Sequence, residues 1–297
     1  MLEKHLFIMM ELKYLPEPDS RIVLWRNTIQ SFHEYKRPKF IGPFKAAKFS
    51  YRVESLFLDS TNGKPLKPDI VASGKSGWFV LELTTSPNSK KQNLESYEAI
   101  DPRGLSQYGL ITHPKKPDII MSRLSKVDDG PYCQIFVKDY LKIENEDYIK
   151  NNLLKKSLIN AKETDLTRLP NISITLLPEM KPMEIRRGLI EIVIQLFQPE
   201  GDGKTVVQIV DDGLDKLSDK IGTAARTQLI DKVNNEMKIL IKDYLSEYLE
   251  FKENKYISTA KFKQHHKTMQ YVVLKLGEWA GISGQTTLDD FPLFDNY

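Results

Sequence analysis

At 297 residues, with 40 % hydrophobic and 28 % charged residues, the chain is long enough for two ordinary domains and apolar enough to fill a core, which excludes general disorder. Its 43 basic and 40 acidic residues leave a net charge of +3, which neither demands nor forbids a nucleic-acid partner, because a basic face can be local. The single cysteine, Cys133, excludes an internal disulfide framework and a thiolate metal cluster, and no run approaches the roughly 18 apolar residues of a membrane span.

The opening Met1-Leu-Glu-Lys-His-Leu-Phe-Ile-Met-Met lacks the charged, apolar and small-residue order of a secretion signal and reads as mature protein. A cytoplasmic or nucleoid-associated location follows as an expectation. Asp19-Ser20 is a cap for a helix in which Ile22, Trp25, Ile29 and Phe32 recur at helical spacing. Lys36 to Ala47 is basic and punctuated by Pro38, Gly42 and Pro43, which predicts loop or irregular structure. Phe49 to Leu58 fits either a strand or a helix end. Asn62-Gly63 signals a turn, Pro68-Asp-Ile-Val-Ala opens a strand, Gly74-Lys-Ser-Gly77 turns again, and Trp78 to Thr84 is a second strand. A helix over Lys90 to Ala99 and strands at Pro117–Met121 and Gln134–Val137 complete an α/β pattern around a central sheet. Cys133, at the head of the last strand, reads as a buried structural thiol.

Residues 140–180 look like a charged, Asn-rich connector with a strand-like patch at Ile172–Leu177 between prolines. From Met183, Ile185, Leu189, Ile192, Val193 and Leu196 line one helical face and stop before Pro199. A longer pattern from Leu214 to Tyr248 fits two helices broken near Gly222, and Met269, Val272, Val273, Leu276 and Trp279 form a further amphipathic stretch. The expected organisation is 1–165 as an α/β domain, 166–182 as linker or edge strand, 183–281 as a mostly helical domain, and 282–297 as a tail.

The chemistry sits in the first of these. Alternation along Trp78–Thr84 places Val80, Glu82 and Thr84 on one face and Phe79, Leu81 and Leu83 on the other. A carboxylate amid an apolar run is expensive unless it meets water, a cation or hydrogen-bond donors. Asp69 opens the adjoining strand, so a hairpin brings the two acids together. Carboxylate and water oxygens suit Mg²⁺, which polarises a phosphodiester and lowers the pKa of an attacking water. The plainer reading is a strand-edge acid and an ordinary Pro-Asp turn.

Pro68-Asp69, twelve residues, then Glu82-Leu83-Thr84 resembles the core of the PD-(D/E)xK nuclease superfamily, over roughly residues 50–137. The resemblance implies a restriction-endonuclease-like mixed central sheet flanked by helices. It also implies that Asp69 and Glu82 bind Mg²⁺, with Mn²⁺ substituting, and that a lysine supplies positive charge. Thr84 stands where that lysine is expected, and a hydroxyl carries no charge. Lys91, or Lys90 beside it, is the substitute expected at the start of the following helix, where Gln92 and Tyr97 echo residues of RecB-like members. Glu54 is the expected upstream acid that many members donate from a preceding helix.

Two basic clusters are candidate nucleic-acid contacts: Lys36, Arg37, Lys39 and Lys45 with Tyr35, Phe40 and Phe44 between them, and Lys261, Lys263 and Lys267. Solvated loop and helix surface is the competing account, and the three aromatics are equally suited to a core. His265 and His266 point in different directions on a helix, so no zinc site is expected. The tail's Gln285, Leu288 and Phe291 resemble a PCNA-interacting peptide, with Pro292 where a second aromatic is usual and Phe294 following. A sliding clamp is therefore an expected partner, and packing of these anchors on their own domain the alternative. The functional expectation is a Mg²⁺-dependent DNA endonuclease of repair, recombination or replication, with the helical domain binding DNA or forming a homodimer. A type II restriction endonuclease, an RNA-directed nuclease and a non-catalytic DNA-binding protein on the same fold are the alternatives.

Overall fold

The computed structural model describes residues 19–85, 92–125, 132–198, 203–262 and 266–282. The chain divides into two compact units, one from 19–174 with 214–228, the other from 175–213 with the residues from 229 onward.

In the first unit, the Asp19 side chain accepts from the Arg21 amide at 2.7 Å and caps helix α1 (Ser20–Gln30), which buries Ile22, Leu24, Trp25 and Ile29. The basic segment after it is more ordered than its prolines and glycine predict. Strands β1 (Glu34–Lys36) and β2 (Lys39–Ile41) form a hairpin closed over Arg37-Pro38, and a single helical turn, α2 (Pro43–Ala46), follows. The pairing sets Tyr35 opposite Phe40, their rings stacked at 6.2 Å. Phe44 is fully buried, 4.5 Å from the Phe32 ring and 4.8 Å from that of Phe79. Phe40 and Phe44 therefore belong to the core, while Lys36, Arg37, Lys39 and Lys45 are exposed.

The next strands are β3 (Ser50–Val53), the short pair β4 (Phe57–Leu58) and β5 (Pro65–Leu66), β6 (Ile70–Gly74) and β7 (Gly77–Leu83). Helix α3 (Gln92–Ser96) passes into a 3-10 turn at Tyr97–Ala99, followed by β8 (Asp118–Arg123) and β9 (Cys133–Val137). The stretch expected as connector instead contains β10 (Tyr140–Glu144), α4 (Asn152–Ala161) and β11 (Thr164–Asp165). Leu141 and Ile143 alternate with polar residues and are buried, the period-two pattern of a half-covered strand. The sheet has seven strands in the order β11-β10-β9-β8-β7-β6-β3. β3, β6 and β7 run as an antiparallel meander, β8 and β9 continue parallel to β7, and β10 and β11 return antiparallel. The protein is thus mixed α/β, its central sheet flanked by helices.

Each sheet face has its own cover. Val71, Trp78, Val80, Ile119 and Met121 pack with Leu94, Tyr97, Ile100, Leu105 and Leu110 from the 92–110 segment. On the opposite face Phe79 meets Phe32, Phe44 and Phe49, and the α1 Thr28 hydroxyl lies 2.7 Å from that of Ser122. Residues 220–222 run beside edge strand β3: the Val53 amide donates to Lys220 O at 2.9 Å and the Gly222 amide to Val53 O at 3.0 Å. A Cβ at Gly222 would stand 2.9 Å from Glu54 O, so only glycine allows that approach.

In the second unit, Thr175–Leu177 is buried or half-buried yet joins no ladder; the Thr175 and Leu176 amides both donate to Gly213 O, at 2.8 and 3.0 Å. Helix α5 (Pro182–Gln195) buries the Ile185, Leu189, Ile192 and Val193 face, and α6 (Val206–Leu214) follows. Helix α7 (Thr223–Ile239), starting just after Gly222, buries Leu229, Val233 and Met237. A hairpin interrupts the expected run of helix: β12 (Leu249–Lys252) and β13 (Lys255–Ser258) turn through Glu253 and Asn254, both left-handed at φ 51° and 64°. Helix α8 (His266–Trp279) closes the unit, with Val272, Leu276 and Trp279 buried and the Arg186 guanidinium at 2.6 Å from Glu236 within the same unit.

Candidate active site

Strands β6 and β7 pair through Ile70↔Leu81 and Val71↔Val80, so the next residues in register are Asp69 and Glu82. Side chains directly opposite in an antiparallel pair stand about 5 Å apart at Cβ. Asp69 is tied to the other strand's backbone: the Leu83 amide donates to its Oδ2 at 2.7 Å. The Asp69 backbone also helps to hold the Glu82 carboxyl down. The hairpin itself thus fixes the orientation of Asp69.

Three further groups converge on this end of the sheet. Glu54 follows β3 immediately rather than lying on a preceding helix, which corrects the expected placement. Its φ of 52° is left-handed, a conformation uncommon for a residue with a side chain, and its amide donates to Asp69 O at 2.9 Å. Glu54 is only 8 % exposed and pairs with the Lys67 ammonium. Arg21, from the first turn of α1, sets its Nη2 at 3.4 Å from Asp69 Oδ1. Tyr97, from the turn that ends α3, donates its hydroxyl to Glu82 Oε2 at 3.0 Å.

The electrostatics are those of crowded acids short of solvent. Burial, with Glu82 and Glu54 nearby, pushes the Asp69 carboxyl well above the usual carboxylate range, and Arg21 and the Leu83 amide oppose that rise. Burial also raises Glu82, against the Tyr97 hydrogen bond, the Asp69 amide and Arg21. Tyr97 is itself held protonated by burial and by Glu82, so it serves Glu82 as a donor. A divalent cation would discharge this excess of buried negative charge. Among the described residues, no three His, Cys, Asp or Glu side chains form a ready cage for a metal. Mg²⁺ ordinarily takes one or two carboxylates and keeps its waters, and the Asp69–Glu82 donor set fits that chemistry.

The other sequence candidates fall as follows. Thr84 is buried one residue beyond β7, its amide donating to Ser122 O at 3.0 Å. Lys90 and Lys91 lie outside the described residues; Gln92 opens α3. Lys263, Gln285, Leu288, Phe291 and Phe294 also lie outside them. Lys261 and Lys267 are exposed, Lys261 at 3.9 Å from Glu247. The residues that sequence reasoning missed are Arg21 and Lys67. Lys67 stands two places before Asp69, a local signal that was readable; Arg21 is 48 residues away and carried none. Cys133 is fully buried, and burial pushes its thiol up to about 12, in keeping with a structural residue.

No helix among the described residues is long and apolar enough to cross a membrane. No family model, curated protein or solved structure matches this chain.

Proposed function

We propose that the protein is a Mg²⁺-dependent endonuclease that hydrolyses DNA phosphodiester bonds at the Asp69–Glu82 hairpin. The observation that carries this reading is the meeting of two acids in register across the hairpin, with Leu83 N–H on Asp69 Oδ2 at 2.7 Å and Tyr97 Oη on Glu82 Oε2 at 3.0 Å. A pair of largely buried carboxylates suits the divalent cation that phosphodiester hydrolysis needs, and is costly to bury without one. Bound Mg²⁺ supplies Lewis-acid polarisation of the phosphate and a lowered pKa for the attacking water.

The chain's own groups divide the remaining work. Asp69 and Glu82 would hold the cation, Asp69 fixed by the Leu83 amide of the facing strand. Tyr97 Oη orients Glu82 by donating to one of its oxygens, leaving the other for coordination. Thr84 provides no charge, and Arg21, its guanidinium 3.4 Å from Asp69, would provide it to a phosphate oxygen. Lys67 holds Glu54, keeping the third acid in place beside the pair. The terminal Gln285, Leu288 and Phe291 pattern favours a repair or replication setting through a sliding clamp.

The test is a Mg²⁺ and Mn²⁺ cleavage screen over linear duplex, flap, splayed-arm and Holliday-junction DNA, with a duplex RNA arm. Wild type should cut at least one DNA substrate, and Asp69→Ala and Glu82→Ala should each abolish cutting. Cleavage that persists in both variants overturns the assignment. A folded wild type that binds DNA and cuts nothing favours the non-catalytic reading.

A further inference from the structure

The basic cluster identified from sequence is joined in the fold by lysines from a distant segment. Residues 214–228 pack in the first unit, and 220–222 run beside edge strand β3. Lys220 Nζ lies 5.9 Å from the centre of the Tyr51 ring on β3, and Arg52 Nη1 donates to Asp219 O at 3.2 Å. Lys45, Lys216 and Lys220 all act on His33, which burial and those three ammonium groups hold below its ordinary pKa, with Asp215 opposing. His33 Nε2 and the Tyr51 hydroxyl are buried and find no hydrogen-bond partner among the described residues. Tyr51 is 5 % exposed.

Two acids of this region are already engaged. Asp215 Oδ2 accepts from the Ser173 amide at 2.8 Å, and Asp219 is paired with Lys220 at 2.6 Å. Lys45 and Lys216 are left exposed, an excess of positive charge around two unsatisfied polar side chains. The strip also has a direction. Lys220 O accepts from the Val53 amide, and Gly222 lies against the backbone carbonyl of Glu54, so the strip runs along β3 toward the residue whose side chain joins the acid pair.

We propose that the strip through Lys45, Lys216 and Lys220, past His33 and Tyr51, is a phosphate-backbone track that brings duplex DNA to the Asp69–Glu82 site. Phosphate oxygens would accept from the ammonium groups, which replace their condensed counterions. The identity of the polymer rests on the nuclease reading, whereas the track itself is a matter of binding.

The full chain is titrated in EDTA, where nothing is cut, against a fluorescent DNA duplex and the RNA duplex of the same sequence, over a range of salt. Replacing Lys45, Lys216 and Lys220 together by alanine should weaken DNA binding and flatten the slope of log K against log salt by about 1.8, at about 0.9 for each of the two exposed lysines, Lys220 being paired with Asp219. The triple Lys→Arg variant should keep the slope, which separates lost charge from lost folding. An unchanged slope in the alanine variant overturns the track, as does absence of duplex binding by wild type. Tighter, equally lysine-dependent binding of RNA overturns the choice of DNA. Mg²⁺-dependent cleavage is scored separately. Cleavage by a chain whose slope ignores the lysines removes the track and leaves the nuclease; lysine-dependent binding without any cleavage does the reverse.

Discussion

The Tyr97 hydroxyl, just past the end of α3, reaches across to Glu82 near the end of β7 and donates to its Oε2 at 3.0 Å. That bond couples the helical cover to one of the two proposed metal-binding carboxylates. A partner of this kind, one step out from a ligand, typically contributes about 10–100-fold to metal affinity. Tyr97→Phe keeps the ring, which is buried with Leu94, Ile100 and Leu105, and removes only the donor. It should therefore raise the Mg²⁺ concentration for half-maximal cleavage by about tenfold, with a smaller loss of rate at saturating metal. An unchanged Mg²⁺ dependence would reduce Tyr97 to a packing residue.

The raised carboxyls of Asp69 and Glu82 set a pH dependence of stability with a definite sign. Each takes up its proton at higher pH in the folded chain than in the unfolded one. Between those two values the folded state binds more protons, so stability falls as pH rises. The fall begins near the ordinary values of 3.8 and 4.5 and is complete above the folded ones. At pH 8, without metal, Asp69→Asn and Glu82→Gln should each melt about 2–4 °C above wild type, roughly 1 kcal/mol for a protein of this size. Added Mg²⁺ should stabilise wild type and leave the variants unmoved. Variants that melt lower at pH 8 and lose none of the pH dependence would show that the two acids are not in conflict.

The acids were legible because their surroundings contradict them: a glutamate in an apolar run and an aspartate where the facing strand begins need only the turn at Gly74–Gly77 to meet. The seven-stranded order was not, because β8 and β9 join parallel to β7 through contacts that no local pattern encodes. The β12–β13 hairpin was missed although Leu249, Phe251 and Tyr256 flank a polar turn. Its turn uses Glu253 at φ 51°, and glutamate is a poor signal for a left-handed position. Conversely, Ile172–Leu177 has the composition of a strand and forms none, since Pro170 and Pro178 bracket it and its buried amides find Gly213 instead. Arg21 was beyond reach for a different reason. It adjoins its cap Asp19 in sequence, and only the seating of α1 over the sheet brings it to Asp69.

Cys133 offers a check on the core that is independent of the site. It heads β9 with no exposed surface, and its thiol is pushed up to about 12 by burial. At pH 8 the native chain should react with a thiol reagent at least about 100-fold more slowly than the chain in denaturant, because the thiolate is both scarce and inaccessible. Comparable rates in the two states would mean that β9 is not covered as described.

Arg21 gives the last prediction its two readouts. Its guanidinium lowers the proton affinity of both Asp69 and Glu82, so removing it should move the acid limb of the pH–rate profile to higher pH. If it also supplies the charge that Thr84 cannot, the rate above that limb should fall by about 10²-fold, the scale of losing one preorganised donor to a developing anion. Arg21→Lys should keep the limb near its wild-type position while recovering only part of the rate, since an ammonium carries the charge without the planar fork. A shift of the limb with no loss on the plateau would make Arg21 a tuner of the acids alone. A loss on the plateau with no shift would sever it from the carboxylates and place its partner elsewhere. Only the two effects together fit a side chain that both lowers the proton affinity of Asp69 and donates to the phosphate.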